Sequence, residues 1–74
     1  MREIKLFDSV ALLKDLPEEN LWRGHIGAVV EIYKSGEAFE VEFVDTSGKT
    51  YGLLALRAEQ LMLLRHESVE KIAA

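Results

Sequence analysis

The stretch RGHIGAVVEIYKSGEAFEVEF, residues 23–43, carries the clearest secondary-structure signal in the chain. A β-branched run at residues 26–33 leads into the sequence KSGE, and an alternating run follows at residues 38–45. Two such runs on either side of a short glycine-containing turn are typical of a β-hairpin. We therefore predict two paired strands, with Gly36 free to adopt a positive φ in the turn between them.

The hydrophobic pattern also predicts the register of this hairpin. Pairing Tyr33 with Ala38 brings three more apolar pairs together: Ile32 with Phe39, Val30 with Val41, and Ala28 with Phe43. A slip by one residue would place core side chains opposite Glu40 and Glu42 instead. The favoured register sets Glu31 opposite Glu40 on the outer face, with Val29 opposite Glu42. Two carboxylates facing each other across a ladder are mildly destabilising.

The N-terminal segment predicts a strand followed by a long loop. Residues 4–14 have apolar side chains at alternate positions and are expected to form the first strand. Residues 15–24 are expected to form a loop, because Pro17 and several polar residues interrupt the pattern. Leu21 and Trp22 are large apolar residues within this loop, so part of it should fold back over the core.

The C-terminal half predicts a turn, a fourth strand, a 3₁₀ turn and a closing strand, at residues 45–49, 50–57, 58–61 and 62–64. Gly48 is the expected positive-φ residue of the turn. In the fourth strand, Leu54 and Leu56 should face the core, which leaves Tyr51 and Leu53 facing outward.

Together these segments predict an all-β fold in which five short strands close a small barrel over residues 1–65. Residues 66–74 are expected to form a short C-terminal helical tail, which needs something to pack on because so short a helix is marginal alone. A single continuous helix over residues 54–72 is the alternative, since several residues there also recur at near-helical spacing: Leu56, Gln60, Leu63 and Leu64.

Length and composition restrict the function classes. A chain of 74 residues is one domain with a marginal core, so oligomerisation or a partner is expected to stabilise it. The chain contains no cysteine, which excludes disulfides, thiolate zinc sites and a cysteine nucleophile. His25 and His66 stand apart from any metal-ligand spacing. We therefore expect neither a metal nor a cofactor.

The charge distribution argues against nucleic-acid and membrane partners. The formal net charge is −4, and the nine basic residues are dispersed along the chain rather than grouped into a phosphate-binding patch. The N-terminus lacks the apolar run of a signal peptide, and no stretch approaches the length of a transmembrane helix. We expect a cytoplasmic protein.

Three segments in fixed order, residues 8–33, 39–50 and 53–61, resemble the bacterial domain-of-unknown-function family 4926 over most of the chain. The segments 24–32 and 39–43 also look like a KOW motif. The resemblance implies an SH3-like barrel and no established enzyme activity. It also suggests a neighbouring gene for a second small protein, as in toxin–antitoxin pairs.

The residues offer little for catalysis. Gly24 and Gly27 suit a tight loop exit and a close strand crossing, and their loop leads into a strand rather than into the helix N-terminus that a phosphate site needs. Glu31 and Glu40 form a carboxylate pair, but an open sheet face lacks the burial that tunes a pKa for catalysis. His25 has no evident nucleophile beside it. We predict that the protein is not an enzyme.

A non-enzymatic protein–protein interaction module is the favoured function, as an antitoxin-like or accessory partner of a second small protein. A homo-oligomeric accessory subunit and a nucleic-acid-binding KOW-like barrel are the alternatives. Outward-facing apolar and acidic side chains mark the expected interface with a protein partner or a second copy: Trp22, Val29, Glu31, Glu40, Glu42, Val44, Tyr51 and Leu53.

Overall fold

Residues 3–65 are described by the computed structural model, and they form one five-stranded antiparallel sheet with the strand order β4-β3-β2-β1-β5. The strands are β1 (Ser9–Leu12), β2 (Ile26–Tyr33), β3 (Ala38–Val44), β4 (Thr50–Arg57) and β5 (Leu61–Leu63). A 3₁₀ turn at Ala58–Gln60 precedes the last strand. The predicted all-β class and this 3₁₀ turn are confirmed.

Two predictions for the C-terminal part have different outcomes. The continuous helix over residues 54–72 is wrong in the described range, because β4 extends to Arg57 and β5 follows the 3₁₀ turn. β-Branched and aromatic residues are not abundant in β4, and its leucines gain their strand conformation by pairing with β3. The predicted helical tail, residues 66–74, lies outside the described residues.

The first strand is shorter than the predicted residues 4–14. β1 begins at Ser9, because the chain turns just before it. The amide of Asp8 donates to the carbonyl of Lys5 at 3.0 Å, and the amide of Lys5 donates to the Asp8 carboxylate at 2.8 Å. Phe7 has a φ of 71° within this turn, a left-handed conformation that is uncommon for an aromatic residue.

The register of the β2–β3 hairpin follows the prediction only at its turn end. Tyr33 pairs with Ala38, and Glu31 pairs with Glu40, as predicted. Beyond Glu31 the register shifts at a β-bulge, so that Val29 pairs with Val41 and Ala28 with Glu42. The predicted pairs Val30–Val41 and Ala28–Phe43 are therefore wrong. An extra residue in one strand reverses which side chains face the core beyond it.

The core lies on the inner face of the sheet and is entirely apolar. Its buried members are Val10, Leu12, Leu21, Val29, Phe39, Val41, Phe43, Leu56 and Leu61. Leu21 is 1% exposed although it belongs to the loop between β1 and β2. That loop folds back as predicted, because the amide of Leu16 donates to the carbonyl of Leu21 at 2.8 Å. Each such side chain contributes roughly 1.5–3 kcal/mol of transfer free energy when fully buried.

Gly27 allows β2 to approach β3 closely. A Cβ atom at Gly27 would lie 2.7 Å from Cγ1 of Val41, 2.8 Å from the carbonyl oxygen of Glu42 and 2.9 Å from Cδ1 of Phe43. The predicted close strand crossing is confirmed. Gly36 has a φ of 100°, which confirms the predicted turn residue of the hairpin.

Candidate protein interface

The outer face of β2, β3 and β4 carries an acidic cluster beside small and apolar side chains. Two rows cross the three strands: Glu31, Glu40 and Ala55 in one, and Ala28, Glu42 and Leu53 in the next. We call these six residues the acidic face. Side chains that are directly opposite on one face have Cβ atoms about 4.5–5.5 Å apart, so the carboxylates act as one negative surface.

Neighbouring hydroxyl groups orient two of the three carboxylates. The Tyr33 hydroxyl donates to Oε1 of Glu40 at 3.0 Å, and the Thr50 hydroxyl donates to Oε2 of Glu42 at 2.5 Å. The hydrogen bond to Glu40 is the main cause that raises the pKa of Tyr33, and the negative charge of Glu31 adds to it. Glu40 and Glu31 therefore favour the neutral form of the Tyr33 hydroxyl.

An apolar row lies next to the acidic face. Ile26 and Val44 are the next positions along β2 and β3 after the Gly27–Phe43 pair. Ala11 pairs with Ile26 on one side and with Met62 on the other. We call Val44, Ile26, Ala11 and Met62 the apolar row. Its large side chains are half exposed, at 45% for Val44, 55% for Ile26 and 49% for Met62.

Five of the eight predicted interface residues lie on the acidic face or in the apolar row. Glu31, Glu40, Glu42 and Leu53 lie on the acidic face, and Val44 lies in the apolar row. Val29 is wrong as an interface residue, because it is fully buried in the core. The bulge beyond Glu31 turns Val29 inward and places Ala28 opposite Glu42 in its stead.

Trp22 and Tyr51 lie near the start of β4 rather than on the acidic face. The ring of Tyr51 contacts His25 edge-on, with centroids 6.0 Å apart, and is tilted toward Phe43 at 6.4 Å. The amide of Trp22 donates to Nδ1 of His25 at 2.9 Å. Trp22 and Tyr51 are half exposed, whereas the neighbouring Leu21 anchors the loop in the core.

Sequence reasoning missed Ile26 and Phe7 as exposed apolar residues. Phe7 is 74% exposed, and Ile26 was assigned only to the β-branched run of β2. Side chains alternate between the two faces of a strand. Because the bulge turns Gly27 and Val29 inward, Ile26 has to face outward. No comparable pattern predicts Phe7, because its exposure follows from the turn that precedes β1.

Asp45 follows β3 but serves the turn rather than the acidic face. Its Oδ1 atom accepts hydrogen bonds from the Ser47 hydroxyl at 2.7 Å and from the amides of Ser47 and Lys49 at 2.9 and 3.0 Å. The Ser47 hydroxyl and these amides lower the pKa of Asp45 below its usual value. The Oδ1 atom of Asp45 thus accepts three hydrogen bonds from within the turn, and this favours a structural role.

A separate cavity of about 470 Å³ opens beside the β2–β3 turn. Apolar side chains form much of its wall, including Ile4, Phe39, Leu61 and Leu63, and Glu3 and Arg65 also line it.

Among residues 3–65, no cluster of three His, Cys, Asp or Glu residues is placed to hold a metal ion. No helix in that range is long and apolar enough to cross a membrane.

Comparison with known proteins identifies the family of the chain. No curated protein and no solved structure was found to match the chain significantly. The family described as Domain of unknown function (DUF4926) matches residues 6–63, which include the five strands, the turns that join β2 to β3 and β3 to β4, and the loop anchored by Leu21. The chain belongs to this family.

Proposed function

We propose that this protein is a non-enzymatic protein–protein interaction module that uses the acidic face to bind a basic partner protein. The observation that carries the proposal is the row structure of that face. Glu42 lies opposite the exposed side chain of Leu53, and Glu31 and Glu40 form the neighbouring row, on strands that hold them in a fixed arrangement. Charge complementarity of this kind speeds association and rejects wrong partners.

The proposal includes an SH3-like barrel as the scaffold. Three features support it: the strand order β4-β3-β2-β1-β5, the long β2 strand that pairs with both β1 and β3, and the 3₁₀ turn between β4 and β5. In such a barrel the inner face is filled by the core. Recognition then takes place on the outer face of the sheet or on the loops. The acidic face lies on this outer face.

The chemistry of the acidic face favours a protein over a nucleic acid or a substrate. Three carboxylates on one open surface repel a phosphate backbone, whose binding depends on Lys and Arg contacts. They also lie on an open sheet face. Acid–base catalysis would instead need a cleft, in which burial shifts the pKa of a carboxylate. We propose a second small cytoplasmic protein as the partner, in an antitoxin-like or accessory pairing.

The apolar row extends the proposed interface. Ile26 and Met62 are half exposed, and Val44, the fourth member of the row with Ala11, lies on β3, the strand that also carries Glu42. Buried apolar contacts supply most of the affinity at protein interfaces, whereas charged rims supply rate and specificity. A partner that covers both areas would bury an apolar strip with carboxylates at its border.

A charge-matched pair of variants tests this function. We expect immobilised wild-type protein to retain a specific basic protein from an extract of the source organism. The double variant Glu40→Lys/Glu42→Lys should lose it. The control Glu18→Lys/Glu19→Lys makes the same change in net charge on the exposed Pro17–Glu19 turn, which contains none of the six residues of the acidic face, and should retain it.

Far-UV circular dichroism of both double variants establishes that each is folded. Equal retention by the two variants would show that the acidic face is solvated surface and that recognition lies elsewhere. Equal loss would show a response to net charge alone. Either result would reject the proposed function.

A further inference from the structure

β4 is an open edge of the sheet. It pairs with β3 on one side, and no strand of residues 3–65 lies on its other side. With eight residues, Thr50–Arg57, it is as long as β2, whereas the opposite edge strand β5 has three. Edge strands present unpaired N–H and C=O groups that can pair with another chain.

The hydrogen-bond pattern identifies which groups face this open edge. The amide of Ala58 donates to the carbonyl of Glu37 at 3.2 Å, directly after the Ala38–Arg57 pair. In an antiparallel ladder, bonded and non-bonded pairs alternate along the strand. The backbone groups of Leu54 and Leu56 therefore point to β3, and those of Leu53, Ala55 and Arg57 point away from it.

One of these three positions is already closed. The amide of Arg57 donates to Oε1 of Gln60 at 2.8 Å. At the other end, the register shifts at a bulge beyond the Phe43–Gly52 pair, where Tyr51 is the extra residue of β4. Leu53 and Ala55 are thus the two positions of β4 with regular geometry and backbone groups directed to the open edge.

The side chains of this segment do not protect the edge. Residues 52–56 read GLLAL and contain no proline and no charged residue, which are the usual devices that block edge pairing. Leu53 is 58% exposed, and Ala55 is also exposed. An open strand edge with apolar side chains favours strand addition.

We propose that a second copy of this chain binds the β4 edge, as an antiparallel β4–β4 pair with Leu54 at the two-fold axis. Leu53 of each copy then lies opposite Ala55 of the other. The two pairs form about four backbone hydrogen bonds, two for each pair. This contact is isologous, so a single surface satisfies both copies.

Charge and side-chain chemistry favour a second copy as the occupant. Apolar Leu53 meets apolar Ala55 on the outer face, so no charged group is desolvated. The nearest carboxylates of the two copies, Glu40 and Glu42, lie on their β3 strands, three strand spacings or roughly 14 Å apart, and Glu31 on β2 lies farther away. Screening at physiological salt has a length of about 8 Å, so their repulsion is weak. The dimer uses Leu53 and Ala55 at the border of the acidic face but leaves Glu31, Glu40 and Glu42 uncovered, so the β4 variants and the charge-reversal variants test the two proposals separately.

Amide hydrogen exchange of the wild-type protein tests the pairing residue by residue. We expect the amides of Leu53 and Ala55 to exchange quickly at micromolar protein and to become protected at millimolar protein. The amides of Leu54 and Leu56, which point to β3, should be protected at both concentrations. Sedimentation over the same range should shift from 8.4 kDa toward twice that mass.

Two variants separate this edge from other surfaces. Ala55→Pro removes an amide that points away from β3, so the sheet keeps its own hydrogen bonds, and proline is tolerated at such edge positions. It deletes half of the intermolecular bonds, and dimerisation should weaken by roughly tenfold or more. Leu53→Lys places a charge at the centre of the contact and should weaken it similarly.

Val44→Lys is the matched control, because Val44 is half exposed on the interior strand β3 rather than on the edge strand β4. It should dimerise like the wild type. A protein that stays at 8.4 kDa with equal exchange of Leu53 and Ala55 at both concentrations would overturn the proposal. A dimer that Ala55→Pro and Leu53→Lys leave intact would also overturn it, since another surface would then hold the two copies.

Discussion

Glu31 and Glu40 lie directly opposite each other across the β2–β3 ladder, yet they are not equivalent. Glu40 accepts a hydrogen bond from the Tyr33 hydroxyl, and it is partly buried, whereas Glu31 is exposed. Opposing like charges on a ladder destabilise the fold by up to roughly 1 kcal/mol, less where solvent screens them. The hydrogen bond from Tyr33 offsets part of this cost at Glu40 alone.

Glu31→Lys should therefore stabilise the protein more than Glu40→Lys. Both replace a repulsive pair by an attractive one, worth a few tenths of a kcal/mol, but Glu40→Lys also loses the Tyr33 hydrogen bond. Urea denaturation measures the free energy of unfolding of each variant. Glu18→Lys, on the exposed Pro17–Glu19 turn, is the control and should have little effect. The reverse order of the first two variants would contradict this account.

Tyr33 should titrate above the usual tyrosine pKa of 10.0, because its hydroxyl donates to Glu40. A raised pKa in the folded state means that this interaction stabilises the fold below pH 10.0 and is lost as the pH rises through the folded pKa. The absorbance of tyrosinate reports the titration in a Tyr51→Phe background, where Tyr33 is the remaining tyrosine. Glu40→Gln in that background should lower the pKa of Tyr33. An unchanged titration would show that the hydrogen bond is absent in solution.

Asp45 should stabilise the β3–β4 turn in a pH-dependent manner. Its pKa is lowered by the Ser47 hydroxyl and by backbone amides, so its contribution is present above the unfolded pKa of 3.8 and is lost as the pH falls through the folded value. Asp45→Ala should reduce the urea midpoint at neutral pH and have a much smaller effect in acid. Thr46→Ala, in the same exposed turn, is the control. An Asp45→Ala effect that is equal at both pH values would exclude the charge as its cause.

Gly27→Ala should destabilise the protein, whereas Gly52→Ala should be tolerated. The added methyl group at Gly27 would lie 2.8 Å from the Glu42 carbonyl oxygen, a backbone atom that cannot rotate away. Overpacking of this kind costs typically about 1–3 kcal/mol. At Gly52 the nearest atoms lie 3.6 Å away, which is ordinary contact. Thermal or urea unfolding compares the two variants, and equal stability would mean that β2 can move away from β3.

The sequence predicts the register of the hairpin correctly from the turn back to Glu31. A slip by one residue there would place core side chains opposite Glu40 and Glu42. It fails beyond that point because Val29 and Val30 are both β-branched and apolar, so the pattern gives no sign that one residue is extra. The bulge has physical consequences for the site. It moves Val29 into the core and turns Ala28 and Ile26 outward.

The outward positions of β4 were predictable for a related reason. Leu54 and Leu56 fill the core opposite Val41 and Phe39, so the intervening residues have to face solvent. The N-terminal limit of β1 was not predictable, because it depends on the left-handed conformation of Phe7 and on the hydrogen bonds between Lys5 and Asp8. Neither has a signature in the residue types.

The hydrogen bond from the Arg57 amide to the Gln60 side chain has a consequence for how far self-association can proceed. It seals one end of the β4 edge, and the bulge at Tyr51 disturbs the other, so a docking strand finds only a short window of regular backbone. Once two copies fill that window, the free edge that remains among residues 3–65 of each copy is the three-residue β5. We therefore expect growth by strand addition to stop at the pair, because the regular segment of β4 is too short to accept a further copy and seed a fibril.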